Sequence, residues 1–316
     1  MSSQTQGGWP PASELTRTAL DSKTGAARAS VASNAALTAL KLGAWLVTSS
    51  VSVLSEALHS GLDLVAAVMA LLAVRRSRTP ADAAHPFGHG KFESLSGLAE
   101  GALILVAVAL IAWNAVERLI YHHTALLHPQ IGAAVMAVSA LVNVFISRLL
   151  FRVAKATDSV ALEADAWHLR TDVWTSAGVL GGLGAIAIVR RTGFSHADII
   201  DPLVALGVAA VIAKAAWGIV CQSWDHLVDR SLPQEEIAAI ESLLREHYPQ
   251  FASYHQLRTR KAGPQRYIDL HLVVPGEESV SEAHALCDHL EQELRSLLPR
   301  LEVLIHVEPA SREIHA

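Results

Sequence analysis

The chain has 316 residues, of which 51% are hydrophobic and only 17% charged, and its mean hydropathy is +0.32. That balance puts it in the membrane class rather than the soluble one. A net charge of −5 carries no nucleic-acid signal, and the two distant cysteines, Cys221 and Cys287, argue against a disulfide framework or a thiolate zinc site. Histidine is the unusually common residue, with 16 copies.

Residues 1–29 are polar, with Gly, Pro and Ser, and read as a disordered cytosolic tail without a leader pattern. Six apolar segments follow, near 30–49, 51–74, 94–118, 130–152, 160–189 and 200–222. Each approaches the roughly 20 residues needed to cross a bilayer. The first two are joined at Thr48 to Val51 by almost nothing and form a tight hairpin. Arg17, Lys23 and Arg28 precede the first segment, Arg75, Arg76, Arg78 and Lys91 follow the second, and Arg148, Arg152 and Lys155 lie at the end of the fourth and just beyond it. The positive-inside rule therefore places both termini in the cytoplasm, although Arg190 and Arg191 lie on the opposite side. The expected architecture is α-helical and membrane-embedded, with six transmembrane helices over 30–225.

Beyond residue 225 the chain turns polar. Helical patterns near 231–247 and 279–298 and strand patterns near 253–261, 266–274 and 301–308 give the order α-β-β-α-β. Residues 226–316 thus read as a cytosolic α+β domain. Ile268, Leu270 and Leu272 share one strand face, with Asp269 and His271 on the other. Val303, Ile305 and Val307 alternate in the same way with His306 and Glu308.

Three constellations carry ligand chemistry. His59 and Asp63, then His168 and Asp172, repeat one four-residue spacing inside the second and fifth apolar segments. That spacing puts each pair on one helix face, and ionisable groups inside a membrane are functional by default. The topology makes these helices antiparallel, so His59 falls at the depth of Asp172 and Asp63 at that of His168. Two imidazoles and two carboxylates form a tetrahedral set for a divalent metal such as zinc. The bland alternative is a pair of structural interhelical hydrogen bonds. Asp82, His85 and His89, in the cytosolic loop after the second helix, form a second set, or else a solvated turn shaped by Pro86 and Gly88. His255, His271, His284, His306 and Glu308 form a third, spread through the terminal domain. Glu163 and Asp165 read as a solvated helix end. Gly61, Gly178, Gly181, Gly182 and Gly184 read as ordinary close packing between helices.

Several stretches resemble the cation diffusion facilitator family of metal–proton antiporters. They are Leu54 to Asp63, His85-Pro-Phe-Gly-His89-Gly-Lys91-Phe-Glu93, Glu163-Ala-Asp165-Ala-Trp-His168 through Asp172, and Leu257-Arg-Thr-Arg260. The resemblance covers nearly the whole chain after residue 29. It implies a homodimer of six-helix subunits whose cytosolic domain is metallochaperone-like, in a bacterial inner membrane. It implies transport through His59, Asp63, His168 and Asp172, a loop site at Asp82, His85 and His89, and a binuclear site at His255, His271, His284 and His306. Glu308 stands where the family often has Asp. Lys91 and Asp229 match a charge pair between helices and cytosolic domain. Function is then efflux of Zn2+ in exchange for protons by alternating access. A membrane-bound metal sensor is the alternative. An intramembrane metalloenzyme fits less well, because the quartet fills all four positions and no His-Glu-x-x-His is present.

Overall fold

The computed structural model describes residues 12–48, 51–121, 129–191, 200–247 and 251–310. His122, His123 and His128 and the tip of the first hairpin lie outside them. The helices are α1 (Ala12–Thr48), α2 (Val51–Ser77), α3 (Lys91–Tyr121), α4 (Pro129–Thr157), α5 (Val160–Arg191) and α6 (Ile200–Leu227), then α7 (Gln234–Glu246) and α8 (Val280–Leu297). The strands are β1 (Ser253–Ala262), β2 (Gln265–Val274) and β3 (Leu301–Pro309). The chain divides into two compact units, Met1–Ser223 and Trp224–Ala316.

Stretches long and apolar enough to span a membrane occur in α1, α2, α3, α4 and α6. The remaining long helix, α5, carries Glu163, Asp165, His168, Arg170 and Asp172 along its first half. That polar load lowers its hydropathy without shortening it, and the six helices together form the membrane domain.

Burial in this unit is inverted relative to a soluble protein. On α2, Leu58, Leu62, Val65 and Leu72 point outward, whereas Ser60 and Asp63 are buried. Ser30, Asn34, Lys41, Glu100, Asn143, Ser147 and Asp165 are also interior. Lipid satisfies an outward leucine but not an outward carboxylate, so the polar groups turn toward one another. Asp165 is therefore not at a solvated helix end, as its position near the start of α5 suggested; it is 1% exposed.

Residues 12–29 depart from expectation in the same way. They form the first part of α1 and not an irregular tail. Lys23 is buried and pairs with the buried carboxylate of Glu93, which also accepts hydrogen bonds from the Ser77 and Ser159 hydroxyls. Arg78 donates to Thr24 Oγ1 at 2.8 Å. Ala26 and Ala27 pack with Leu71, Val74, Leu150 and Leu162. Lys23 and Thr24 thus meet polar partners on α3 and just beyond the end of α2.

The side chains around Gly178, Gly181, Gly182 and Gly184 lie outside the described residues. Gly61 faces open space, while Gly97 and Gly101 of α3 lie against α6. A Cβ at Gly97 would stand 2.6 Å from Ser223 Oγ, and one at Gly101 2.8 Å from Val220 Cγ2. This small-xxx-small pair lets the two helices approach.

In the second unit the strands are ordered β1-β2-β3, with β1 antiparallel and β2 parallel to β3. The parallel pairing follows from the crossover through α8. Ile268, Leu270 and Leu272 are buried with Ile240 and Leu244 of α7 and Leu290 and Leu294 of α8. The helices thus cover one face of the sheet and leave the histidine face open. Arg266 clamps Glu236 through Nε and Nη2, both at 2.8 Å, and fixes α7 to β2.

Candidate metal centres

Each metal-ligand set is positioned by its own local geometry. In the membrane unit α2 and α5 pack together and bring the two repeats face to face. His168 Nε2 lies 3.0 Å from Asp63 Oδ1, and His59 Nε2 lies 3.7 Å from Asp172 Oδ1 and 3.9 Å from Asp63 Oδ1. These are the pairings that antiparallel helices require. His59, Asp63 and Asp172 can each direct a ligand atom into one space, all within 4.8 Å of one another. His168 is joined to that space through Asp63. His59 is half exposed while Asp63 is nearly sealed, so the set is open on one side. Asn143 of α4 donates to Asp172 Oδ2 at 3.3 Å. That contact was not foreseen, since a lone Asn in an apolar run has no periodic signature.

The loop set is built on backbone bonds. Asp82 and His85 exchange N–H···O bonds, both 3.2 Å, and the Asp82 carboxylate caps the amides of Ala84 and His85. Hydrogen bonds from His85 hold the Asp82 carboxyl below the usual range. Gly88 adopts φ +77°, which suits glycine and turns the chain back. His85 and His89 then lie against each other, tilted by 40°, with ring centroids 4.3 Å apart. His89 is buried, and its Nδ1 lies 3.2 Å from Thr79 O. Donation to that carbonyl leaves the buried Nε2, 3.5 Å from Asp82 Oδ2, as the ring's lone-pair nitrogen. Asp82, His85 and His89 form a compact three-ligand group.

On the open face of the sheet, register brings three histidines abreast: His255 pairs with His271, and His271 with His306. A bulge in β1 makes this possible. Gln256, at φ +52°, and Leu257 together stand opposite the single Leu270, so His255 and Arg258 both face the open side. Glu308 sits among the rings, with its carboxylate 2.7 Å from His271 Nδ1, 3.5 Å from His255 Nε2 and 3.7 Å from His306 Nε2. These imidazoles depress the Glu308 carboxyl, the His271 hydrogen bond most of all. The longer side chain does reach the cluster. The compact ligand group here is His255, His271 and Glu308. His306 borders it through His271, with centroids 4.8 Å apart. His284 is not brought in; it is exposed on α8, beside Asp288 at 3.7 Å. Asp229 meets Arg260, at 3.3 Å.

A helix bundle with carboxylates and imidazoles at its centre, followed by a small domain with a histidine face, defines a multi-pass membrane protein equipped for divalent cations. The family comparisons agree. Residues 27–228 match the cation efflux transmembrane domain, and residues 232–310 match the cation efflux protein cytoplasmic domain. The chain belongs to the cation diffusion facilitator family and is a cation efflux transporter. It is 38% identical to an uncharacterised transporter of a Synechocystis strain, over 85% of both chains. It is 34% identical to the cation-efflux pump FieF of Pectobacterium atrosepticum, over 86% of this chain and 88% of that one. Among solved structures it is similar to the metal-bound C-terminal domain of the CzcD transporter from Thermotoga maritima, 29% identical, covering 26% of this chain and all of that one, with a TM-score of 0.24.

Proposed function

We propose that the protein exports Zn2+ in exchange for protons, with His59, Asp63, His168 and Asp172 as the transport site. The observation that carries this reading is the convergence of two His-x-x-x-Asp faces inside a membrane bundle. Two imidazoles and two carboxylates suit zinc in tetrahedral coordination. Zinc needs neutral imidazoles and ionised carboxylates, so metal entry expels protons and proton entry expels metal. The 3.0 Å contact between His168 and Asp63 is the form that the proton-loaded site would take. A metal ion replaces that shared proton, and the proton closes the site again after release. Alternating exposure of the quartet to the two sides then couples an inward proton gradient to outward zinc movement.

Asp82, His85 and His89 would hold a loop ion, and His255, His271, His306 and Glu308 a stabilising ion on the sheet. His284 would join only after α8 or a second chain moved it there. The chain would act as a homodimer in a bacterial inner membrane, with both termini cytoplasmic. Support for dimerisation comes from the second family match, to a domain named for it.

Proton release separates this reading from a sensor or an enzyme. Zinc added to the purified protein in weakly buffered detergent should release protons near pH 6–7, about where an unperturbed histidine titrates. Release should fall sharply when His59, Asp63, His168 and Asp172 are replaced together. The same release from the replaced protein would assign it to other ligands and sink the proposed site.

A further inference from the structure

A fourth ligand group lies on the helical side of the C-terminal unit, across the sheet from the histidine face. It joins His247, at the C-cap of α7, to His289 and Glu293 of α8. His289 and Glu293 are four residues apart and share one helix face. Glu293 offers each imidazole a different oxygen: Oε2 lies 2.7 Å from His247 Nε2, and Oε1 lies 3.3 Å from His289 Nε2. The two rings meet edge to face with centroids 5.4 Å apart. All three ligand atoms lie within 4.8 Å of one another.

The helices beneath this group are anchored in the core. Leu244 precedes His247 on the last turn of α7, and Leu290 and Leu294 immediately follow His289 and Glu293; all three leucines are fully buried. Core packing therefore fixes the backbone from which the three ligand side chains project. A single structural hydrogen bond would need only one imidazole on the carboxylate, whereas here two converge on it. Zinc binds such nitrogens at about 2.0–2.1 Å, with donors spread around a tetrahedron. Small rotations of the partly exposed His289 and Glu293 side chains open the group to that spacing. His247 is largely shielded, and the other two are accessible, so an ion can enter from solvent.

We propose that His247, His289 and Glu293 form a separate zinc-class divalent-cation site, completed by water, that fastens α7 to α8. The donor set is two imidazole nitrogens and one carboxylate, which selects zinc-like ions over calcium or magnesium. Its role is structural: metal affinity at this place becomes stability of the helical layer. It shares no residue with the quartet, the loop set or the sheet cluster.

The test compares zinc content of the full-length protein with that of His289→Ala and His247→Gln after equilibrium dialysis at micromolar zinc. Glutamine can still donate to Glu293, so His247→Gln keeps a structural hydrogen bond while losing a ligand. Each variant should bind one zinc fewer per chain, and its thermal midpoint without zinc should stay near that of the parent for His247→Gln. Cobalt offered in place of zinc should lose part of its tetrahedral visible absorption in both variants. Equal zinc content in parent and variants, with equal cobalt spectra, would overturn the site and leave a hydrogen bond between two helices.

Discussion

Asp172 is oriented from two sides, and this makes Asn143 more than a bystander. One carboxylate oxygen faces His59 while the other accepts from Asn143. Groups that orient a metal ligand affect affinity by about 10- to 100-fold when removed. Asn143→Ala should therefore weaken zinc binding at the quartet by about 10-fold or more, as read by titration calorimetry. Unchanged affinity would show that Asp172 needs no such support. Lys23 makes a different kind of contact, because its charge is buried against Glu93. Removing one partner of a buried pair leaves an uncompensated charge and costs about 3–5 kcal/mol. Lys23→Met should lower thermal stability markedly, and Lys23→Met with Glu93→Leu should recover part of the loss. A single variant as stable as the parent would mean that Glu93 is fully supported by Ser77 and Ser159.

At the scale of elements, α8 shows how local sequence sets a boundary. Ser279 and Glu282 form a reciprocal capping box, with the Ser279 hydroxyl and amide both reaching Glu282 Oε2. These bonds, the hydroxyl first, hold the Glu282 carboxyl below its usual range. A depressed carboxylate contributes stability above its unfolded pKa, near 4.5, and that contribution is lost as pH falls through the folded value. Ser279→Ala removes the cap acceptor and this support together, and should lower the thermal midpoint at neutral pH. The gap from the parent should narrow in melts below about pH 4. A gap independent of pH would assign the effect to the hydroxyl cap alone.

The same contrast explains what the sequence disclosed. Alternation exposed the core face of β2 because Ile268, Leu270 and Leu272 recur at period two. The quartet was legible because both helices repeat one ionisable spacing. The bulge at Gln256 was not, since it depends on pairing between strands. The start of α1 at Ala12 was hidden because its polar run, Lys23 and Thr24 included, finds partners far away in sequence, at Glu93 and Arg78. Contact between α3 and α6 at Gly97 and Gly101 was missed for a similar reason, as many glycines share that spacing without a facing helix. His247 and Glu293 are far apart in sequence, so only the fold brings them together.

Across the whole molecule, polar groups cluster inside the membrane unit and on two sides of the C-terminal sheet. Of the four ligand groups found among the described residues, the quartet lies within helices of the membrane domain, and in the proposed mechanism it is the one through which the ion passes. The loop and sheet groups can change how readily that happens, but their removal should slow zinc flux without ending it. Proteoliposomes loaded with a zinc-sensitive dye test this most directly. With a pH gradient imposed, the intact protein should move zinc against the proton flow, and dissipating the gradient should slow it. Asp172→Ala, purified as a folded protein, should move none above empty vesicles. Zinc flux by Asp172→Ala equal to that of the intact protein, or flux indifferent to the gradient, would contradict zinc–proton exchange through the quartet.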